Sequence, residues 1–468
     1  MKEKSNKKNK RQRLQRTLAS VMLFNILCLS TLPAAAAPYT LATAETPATT
    51  EDTENQGTAT PGKADKVPSI ENLGLVVESA VLLEPSTGQV LLDINSAEAL
   101  PPASMAKMMT EYLVAEQVKQ GELSWDTMVT VRENASKAVG SRIFLAEGDQ
   151  HTVRDLYIAM AVGSANDASI ALAEHIAGSE AEFVIMMNET AKRMGMETAH
   201  FINSTGLSRA DMPEKYRPTE DRETLMSAMD AAILAMNIVE DHPDFADVTA
   251  MQEYKFRERD KDPIVNLNWM LEANKDITNF RAYAYEGLDG LKTGHTSAAG
   301  YCFAGTAERD GVRLISVVMG TKSNADRFKE TRKVLDYGFE NFEVKEILPA
   351  STTVEGLETV GVKKGKEKQT ALVTDRPVTF VVPKGSDGSN VTFAGALESE
   401  TLTAPVATNT KAGTVTYEYK IEGLKEVQKK TVNLVTSEEV EKAGWFKLFL
   451  RAIGEFFSDL FDSIKNLF

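Results

Sequence analysis

The sequence predicts an α+β domain whose first and last strands share one sheet, then a small all-β sandwich domain and a C-terminal amphipathic helix. Three observations predict this. Strand-like runs near residues 75–94 and 290–320 enclose a long stretch with apolar residues at three- and four-residue steps. After about residue 345, short Val- and Thr-rich runs alternate with Gly, Lys and Asp turns. From residue 440, aromatic and aliphatic residues recur at helical spacing.

The first 37 residues read as a secretory signal. Lys2, Lys4, Lys7, Lys8, Lys10, Arg11, Arg13 and Arg16 precede an apolar run from Leu18 to about Leu32, and Ala34 to Ala37 follow. Basic, apolar and small residues in that order are the three parts of such a signal. Ala36, Ala37 and Ala44 are candidate cleavage points, and an uncleaved membrane anchor is the alternative. Asn25-Ile26-Leu27, before Cys28, does not form a lipoprotein cleavage box. Residues 38–66 are rich in Thr, Ala, Pro and Glu, with almost nothing apolar enough to bury, and read as a disordered spacer.

The α+β domain is placed at 67–343. Leu75 to Leu83 and Gly88 to Ile94 read as strands around the turn Pro85-Ser86-Thr87-Gly88. Met105, Met108, Met109, Tyr112, Leu113 and Val118 then recur at helical steps, and Gly121 stops the run. Further helices are expected near 152–163, 165–177, 180–195 and 221–239. A strand pair is expected at 290–307 and 311–320, joined by Arg309-Asp310-Gly311, and a helix at 324–342 closes the domain. The sandwich domain is placed at 344–438, and no catalytic constellation is visible in it.

The tail, 439–468, sets Trp445, Phe446, Phe449, Leu450, Ile453, Phe456, Phe457, Leu460, Phe461, Ile464, Leu467 and Phe468 on one face. Lys447, Arg451, Asp459, Asp462 and Lys465 lie mostly on the other. A charge every few residues argues against a bilayer span, and the apolar face suits a helix lying in the membrane interface. A helix docked on its own protein, or on a second copy as a homo-oligomer, is the other reading.

Composition bounds the function. The 468 residues are 43% hydrophobic and 25% charged, which is ordinary globular usage for two or three domains. Loss of residues 1–37 removes eight basic residues and one acidic residue, moving the formal charge from −15 to −22. So acidic a chain argues against nucleic acid, whose phosphates need clustered Lys and Arg. Cys28 lies in the signal, so Cys302 is left alone: no disulfide framework, no cysteine-based zinc site, and a small buried thiol as its plain reading. The histidines His151, His175, His200, His242 and His295 never share a helical turn, so no metal or other cofactor is called for. No G-x-S-x-G elbow supports a Ser-His-Asp scheme. The first four of these histidines read as surface or core residues.

Three short motifs do carry chemistry when taken together: Ser104-Met105-Ala106-Lys107 at a helix start, Ser164-Ala165-Asn166 where another helix begins, and Lys292-Thr293-Gly294 on a strand. Each alone is weak, since Ser5 and Lys8 repeat the first spacing inside the signal. Order and placement make the set specific. A Ser hydroxyl is a poor nucleophile until a base takes its proton. Lys107, one turn on, projects from the same face, and is a base only if burial and a neighbouring cation such as Lys292 depress its pKa. Ser164 is a candidate proton relay, and Asn166 a candidate to orient Lys107 and the substrate amide. The Lys292-Thr293-Gly294 strand suits an extended substrate, with Gly294 allowing close approach. The backbone N–H groups of Ser104 and His295 are candidate oxyanion donors.

These motifs, in the settings Pro102-Ala103-Ser104-Met105-Ala106-Lys107, Val162-Gly163-Ser164-Ala165-Asn166-Asp167-Ala168 and Gly290-Leu291-Lys292-Thr293-Gly294-His295-Thr296, followed by Ala299-Gly300-Tyr301, resemble those of the low-molecular-weight penicillin-binding proteins, the D-alanyl-D-alanine carboxypeptidases. The resemblance covers about 70–343. It implies a penicillin-binding/β-lactamase-like transpeptidase domain, a sheet with a helical cluster, exported to the outer face of the cytoplasmic membrane. It also implies a reaction: Ser104 attacks the bond between the last two D-alanines of a peptidoglycan stem peptide, an acyl-enzyme forms, and water releases the trimmed peptide. Penicillins and other β-lactams would acylate the same serine. The resemblance makes Lys107 the general base, Ser164 and Asn166 the second motif, and Lys292 and Thr293 binders of the substrate carboxylate. Arg327, in Asp326-Arg327-Phe328-Lys329-Glu330, falls where the family places an arginine near that carboxylate; a surface salt bridge is the other reading. A β-lactamase, a D,D-endopeptidase using the same site, and a non-catalytic cell-wall scaffold are the alternatives.

Overall fold

The computed structural model describes residues 55–57 and 66–454. The segment read as a signal, 1–37, and the end of the tail, 455–468, lie outside the described residues. The first domain is built on a five-stranded antiparallel sheet of order β2-β1-β5-β4-β3. Its strands are β1 (Ser79–Glu84), β2 (Gln89–Ile94), β3 (Leu288–Thr296), β4 (Gly300–Arg309) and β5 (Val312–Thr321). The two ends of the domain meet in the β1–β5 pair, where Val81 faces Val317 and Leu83 faces Ile315. Every residue of β1 is buried, because both faces of the sheet are covered.

The run read as one strand over 290–307 is two strands. Gly300, at φ +62°, turns the chain, and the Ala299 N–H donates to Thr296 Oγ1. Between β4 and β5 the Asp310-Gly311 signal does make the hairpin, with both residues at positive φ.

The longer helices are α1 (Lys107–Lys119), α2 (Val153–Gly163), α3 (Asn166–Ala177), α4 (Glu180–Arg193), α5 (Ala228–Asp241) and α6 (Asn324–Asn341). Four of them begin where a hydroxyl side chain accepts an orphan backbone N–H: Thr152, Ser179, Ser227 and Ser323. At α5, Ser227 and Asp230 close a reciprocal capping box. That cap starts α5 at residue 228 rather than near 221, where apolar spacing alone put it. Just before the cap, Leu225 pairs with His200 as an isolated bridge.

One face of the sheet, including Val81, Leu291, Ala304, Ile315 and Val317, packs with Met105, Met108 and Met109 of the α1 region and with residues of α4 and α5. On the other side Phe328, Val334 and Leu335 of α6 join Leu82, Phe303, Leu314 and Val318. Helix α6 runs straight into the second domain, whose strands are β6 (Phe342–Leu348), β7 (Thr359–Lys363), β8 (Gln369–Thr374), β9 (Val378–Pro383), β10 (Val391–Leu397), β11 (Thr401–Thr403), β12 (Lys411–Tyr419) and β13 (Gln428–Thr436). Strands β6 and β9 pair with each other. The rest form one sheet of order β10-β12-β13-β8-β7-β11. Gln428 links the two sheets by accepting the Val381 N–H at 2.9 Å and donating to the Val381 carbonyl at 2.7 Å. Within the stretch read as a spacer, residues 55–57 extend this sheet, pairing antiparallel with Phe393–Gly395.

The described residues end in a helix over 445–454. Lys447 donates to the Lys366 carbonyl, and Arg451 donates to the Gly365 and Lys366 carbonyls. Trp445, Phe446, Phe449, Leu450 and Ile453 are exposed. Among the described residues no helix is long and apolar enough to cross a membrane.

Candidate active site

Ser104 sits in a 3-10 turn, Ala103–Ala106, that feeds directly into α1. Ala103 is held at φ +50°, in the left-handed region that a residue with a side chain enters at a cost of order 1–3 kcal/mol. Two glycines hold this turn. A Cβ on Gly206 would lie 1.8 Å from the Ala103 carbonyl oxygen, and one on Gly294 would lie 2.4 Å from that of Pro102. Only glycine lets both segments approach so closely.

Lys107 opens α1 and has no exposed surface. Its Nζ lies 3.1 Å from Ser104 Oγ and donates to the Thr205 carbonyl at 2.8 Å. That carbonyl is presented by a side-chain-closed turn, in which Asn203 Oδ1 accepts the N–H groups of Thr205 and Gly206 and the Thr205 hydroxyl. Burial first, and the nearby Lys292 charge second, hold the Lys107 ammonium well below the ordinary lysine range.

Ser164 ends α2 at φ +59°, and Asn166 opens α3. Asp167 follows, and its carboxylate accepts the N–H groups of Ile143 and Leu145 at 3.1 Å each, tying the neighbouring loop to the helix start. Asn166 Nδ2 donates to the Val139 carbonyl. Asn166 makes no hydrogen bond to Lys107, whose bonds go to Ser104 and Thr205. Ser164 Oγ and Asn166 Oδ1 are buried with no hydrogen-bond partner among the described residues.

Strand β3 forms the opposite wall. Lys292 and Thr293 are buried, and the Lys292 Nζ lies 3.4 Å from the Thr293 carbonyl. Burial lowers the pKa of Lys292, and the Arg327 charge adds to this. Arg327 reaches in from α6, 5% exposed, and donates to the carbonyls of Gly294 at 3.1 Å and Cys302 at 3.4 Å. It has no ion pair among the described residues, so the surface salt bridge reading does not hold. Its Nε is buried and has no hydrogen-bond partner among the described residues. The His295 ring stacks on Tyr301 at 3.9 Å, and its Nδ1 meets the Gly300 carbonyl.

These walls enclose a cleft of about 180 Å³. Of the nine residues singled out in the sequence, Ser104, Ser164, Asn166, Thr293, Gly294, His295 and Arg327 line it, with Lys107 and Lys292 buried behind them. Leu207 and Leu267 supply its apolar side chains, and sequence reasoning missed both, together with Asn203 and Asp167. Asp167 follows Asn166 directly and was within reach. The others come from loops with no periodic signal. Cys302 is buried, and burial pushes its thiol up to about 11, as suits an inert core thiol.

A nucleophile beside one buried lysine, a Ser-x-Asn turn and a strand with a second buried lysine thus meet in one cleft. Residues 66–323, more than half of the chain, match the family model described as D-alanyl-D-alanine carboxypeptidase, peptidase family S11. The chain belongs to this family. It is a serine-type carboxypeptidase, a hydrolase of the penicillin-binding protein group with a cell-wall role. Residues 342–442 match the C-terminal domain of penicillin-binding protein 5. The carboxypeptidase is 34% identical to the D-alanyl-D-alanine carboxypeptidase DacF of Bacillus subtilis over 81% of this chain and 89% of that one. It is 31% identical to DacC of Escherichia coli, over 78% of this chain and 84% of that one. Among solved structures, penicillin-binding protein 5 of Haemophilus influenzae superposes with a TM-score of 0.62 at 30% identity, covering 82% of this carboxypeptidase and all of that chain.

Proposed function

We propose that the chain removes the terminal D-alanine from peptidoglycan stem pentapeptides through an acyl-enzyme on Ser104. The observation that carries this reading is the fully buried Lys107 amine 3.1 Å from Ser104 Oγ. With its charge disfavoured by burial, the neutral amine accepts the Ser104 proton while still donating to Thr205. The freed oxygen attacks the carbonyl carbon of the penultimate D-alanine. The developing oxyanion takes the backbone N–H groups of Ser104 and His295. As the C–N bond breaks, the leaving amine takes the proton from Lys107 through Ser164, whose hydroxyl has no other partner among the described residues. Asn166 Oδ1 is free to accept from the substrate amide. Lys292, Thr293 and Arg327 hold the terminal carboxylate, and the unpartnered Arg327 Nε supports that role. Water then attacks the ester, Lys107 takes its proton and returns it to Ser104 Oγ as the acyl C–O bond breaks, and the tetrapeptide leaves.

β-Lactams acylate the same serine in this reading, which the penicillin-binding names of the relatives support. The chain works outside the cytoplasmic membrane after export. Helix 445–454 rests its cationic side on the Gly365-Lys366 carbonyls and turns its aromatic side outward, which supports a membrane-surface anchor.

The test is D-alanine release from a stem peptide ending in D-Ala-D-Ala, beside a Ser104→Ala control. Release in the native protein that falls by on the order of 10⁴-fold or more in the control is the expected outcome. Penicillin acylation of Ser104 without release would move the reading to an endopeptidase or another substrate. Neither release nor acylation would leave a scaffold.

A further inference from the structure

Glu111 lies one turn beyond Lys107 on the same face of α1 and is 2% exposed. No step of the proposed reaction uses it. Among the described residues its Oε1 has no hydrogen-bond partner. A carboxylate is rarely buried without a partner or a compensating charge. The charges that act on it are Lys107 from its own helix and Lys292 from β3.

The other ionisable groups around this cluster are engaged elsewhere. Asp167 on α3 accepts the Ile143 and Leu145 N–H groups. Glu180 on α4 accepts from Ser204 and Asn134. Asp241 on α5 is taken by Tyr112 and Lys119 at the far end of α1. Tyr157 on α2 faces Glu111, and burial keeps its phenol neutral. Arg327 on α6 acts on Lys292 as a further positive charge. The Asp167 and Glu180 carboxylates still favour the charged form of Lys107, each less than Glu111 does, but of the three carboxylates only Glu111 acts on both Lys107 and Lys292.

We propose that Glu111 is a positioning residue for the peptidase reaction: its buried carboxylate is the counter-charge that lets Lys107 and Lys292 share one dry site, one neutral as base and one charged for the substrate carboxylate. This rests on the reading of Lys107 as base. Two ammonium groups side by side out of water disfavour each other, and without an anion both shed protons too readily. Glu111 holds Lys292 charged where the substrate needs it, while Lys107, with no exposed surface and beside the Lys292 charge, loses its proton first. Its own carboxyl is pushed above the usual carboxylate range by burial, so it shares in the same titration.

The experiment is the pH profile of D-alanine release by Glu111→Gln, with folding checked by thermal unfolding. Loss of the anion lowers both lysine pKa values. The acid limb of kcat/KM should therefore move to lower pH, and so should the alkaline limb, the latter carried by KM, each by roughly one unit or more. Where Glu111→Gln does not fold, Glu111→Asp carries the test, with both limbs moving the same way by less. A uniform loss of rate with unmoved limbs would overturn the proposal. Lys107→Ala separates the two readings. If it keeps the native acid limb, the base assignment fails and takes this proposal with it. If it abolishes turnover while Glu111→Gln turns over with native limbs, the Glu111 proposal alone fails.

Discussion

The Lys107 amine donates to the Thr205 carbonyl at 2.8 Å, and this bond fixes where its lone pair can point. With one N–H committed to Thr205, the neutral amine presents its remaining valence to Ser104 Oγ, 3.1 Å away. Lys107→Arg puts a cation that does not titrate in the same place. D-alanine release should fall by on the order of 10³-fold at neutral pH. In the native chain, the acid limb of acylation should lie well below the ordinary lysine pKa of about 10.4, because burial favours the neutral form. Stopped-flow acylation by a chromogenic β-lactam against pH reads the limb, and the peptide assay reads the loss of release.

Gly294→Ala tests the close approach of β3. Its new methyl would meet the Pro102 carbonyl oxygen at 2.4 Å, and neither backbone can yield without moving Ser104. A displacement of that kind costs roughly 10²-fold in kcat, with destabilisation of about 1–3 kcal/mol. Steady-state kinetics and urea unfolding check the two parts separately.

Arg327→Gln keeps a hydrogen-bonding side chain but removes the charge. KM for a peptide ending in a free carboxylate should rise by about 10- to 100-fold, matching a charge-assisted bond of about 1.5–3 kcal/mol. A C-terminally amidated peptide, already a poor ligand, should show little further change. Equal loss for both peptides would mean that Arg327 only supports the Gly294 and Cys302 carbonyls.

Asp167→Asn removes the anion that gathers the Ile143 and Leu145 N–H groups. Stability should drop by about 1–3 kcal/mol. The loop beside Ser164 and Asn166 should loosen, seen as faster amide exchange at residues 143 and 145.

Deleting residues 445–468 should abolish binding to anionic lipid vesicles and leave D-alanine release from a soluble peptide unchanged, as sedimentation and the peptide assay would show.

Much of the site was legible because its chemistry is written in contiguous motifs. Ser104 and Lys107 lie within one helical turn, and Lys292, Thr293 and Gly294 lie on one strand. The shared sheet was legible from strand-like runs at both ends of the domain. The extra strand was not, because the Ser297-Ala298-Ala299 turn carries no proline or asparagine and its Gly300 also fits a strand. Asn203 and Thr205 were invisible for a different reason. They act through a side-chain-closed turn and a main-chain carbonyl, and carbonyls have no letter in a sequence. The sequence set burial and the Lys292 charge as the conditions for Lys107 to act as a base, and the structure buries it with that charge nearby. Glu111 was not foreseen, because its spacing from Lys107 reads equally well as an ordinary helical ion pair on the surface.

The two glycines that press on residues 102 and 103 have an evolutionary consequence. The nucleophile is located by main-chain atoms of two separate segments rather than by the side chains around it. Leu207, Leu267 and Ser141, which line the same cleft, are therefore free to drift without carrying Ser104 out of register with its base. Selection by new substrates or new antibiotics should then accumulate changes at such rim positions and leave Gly206 and Gly294 untouched.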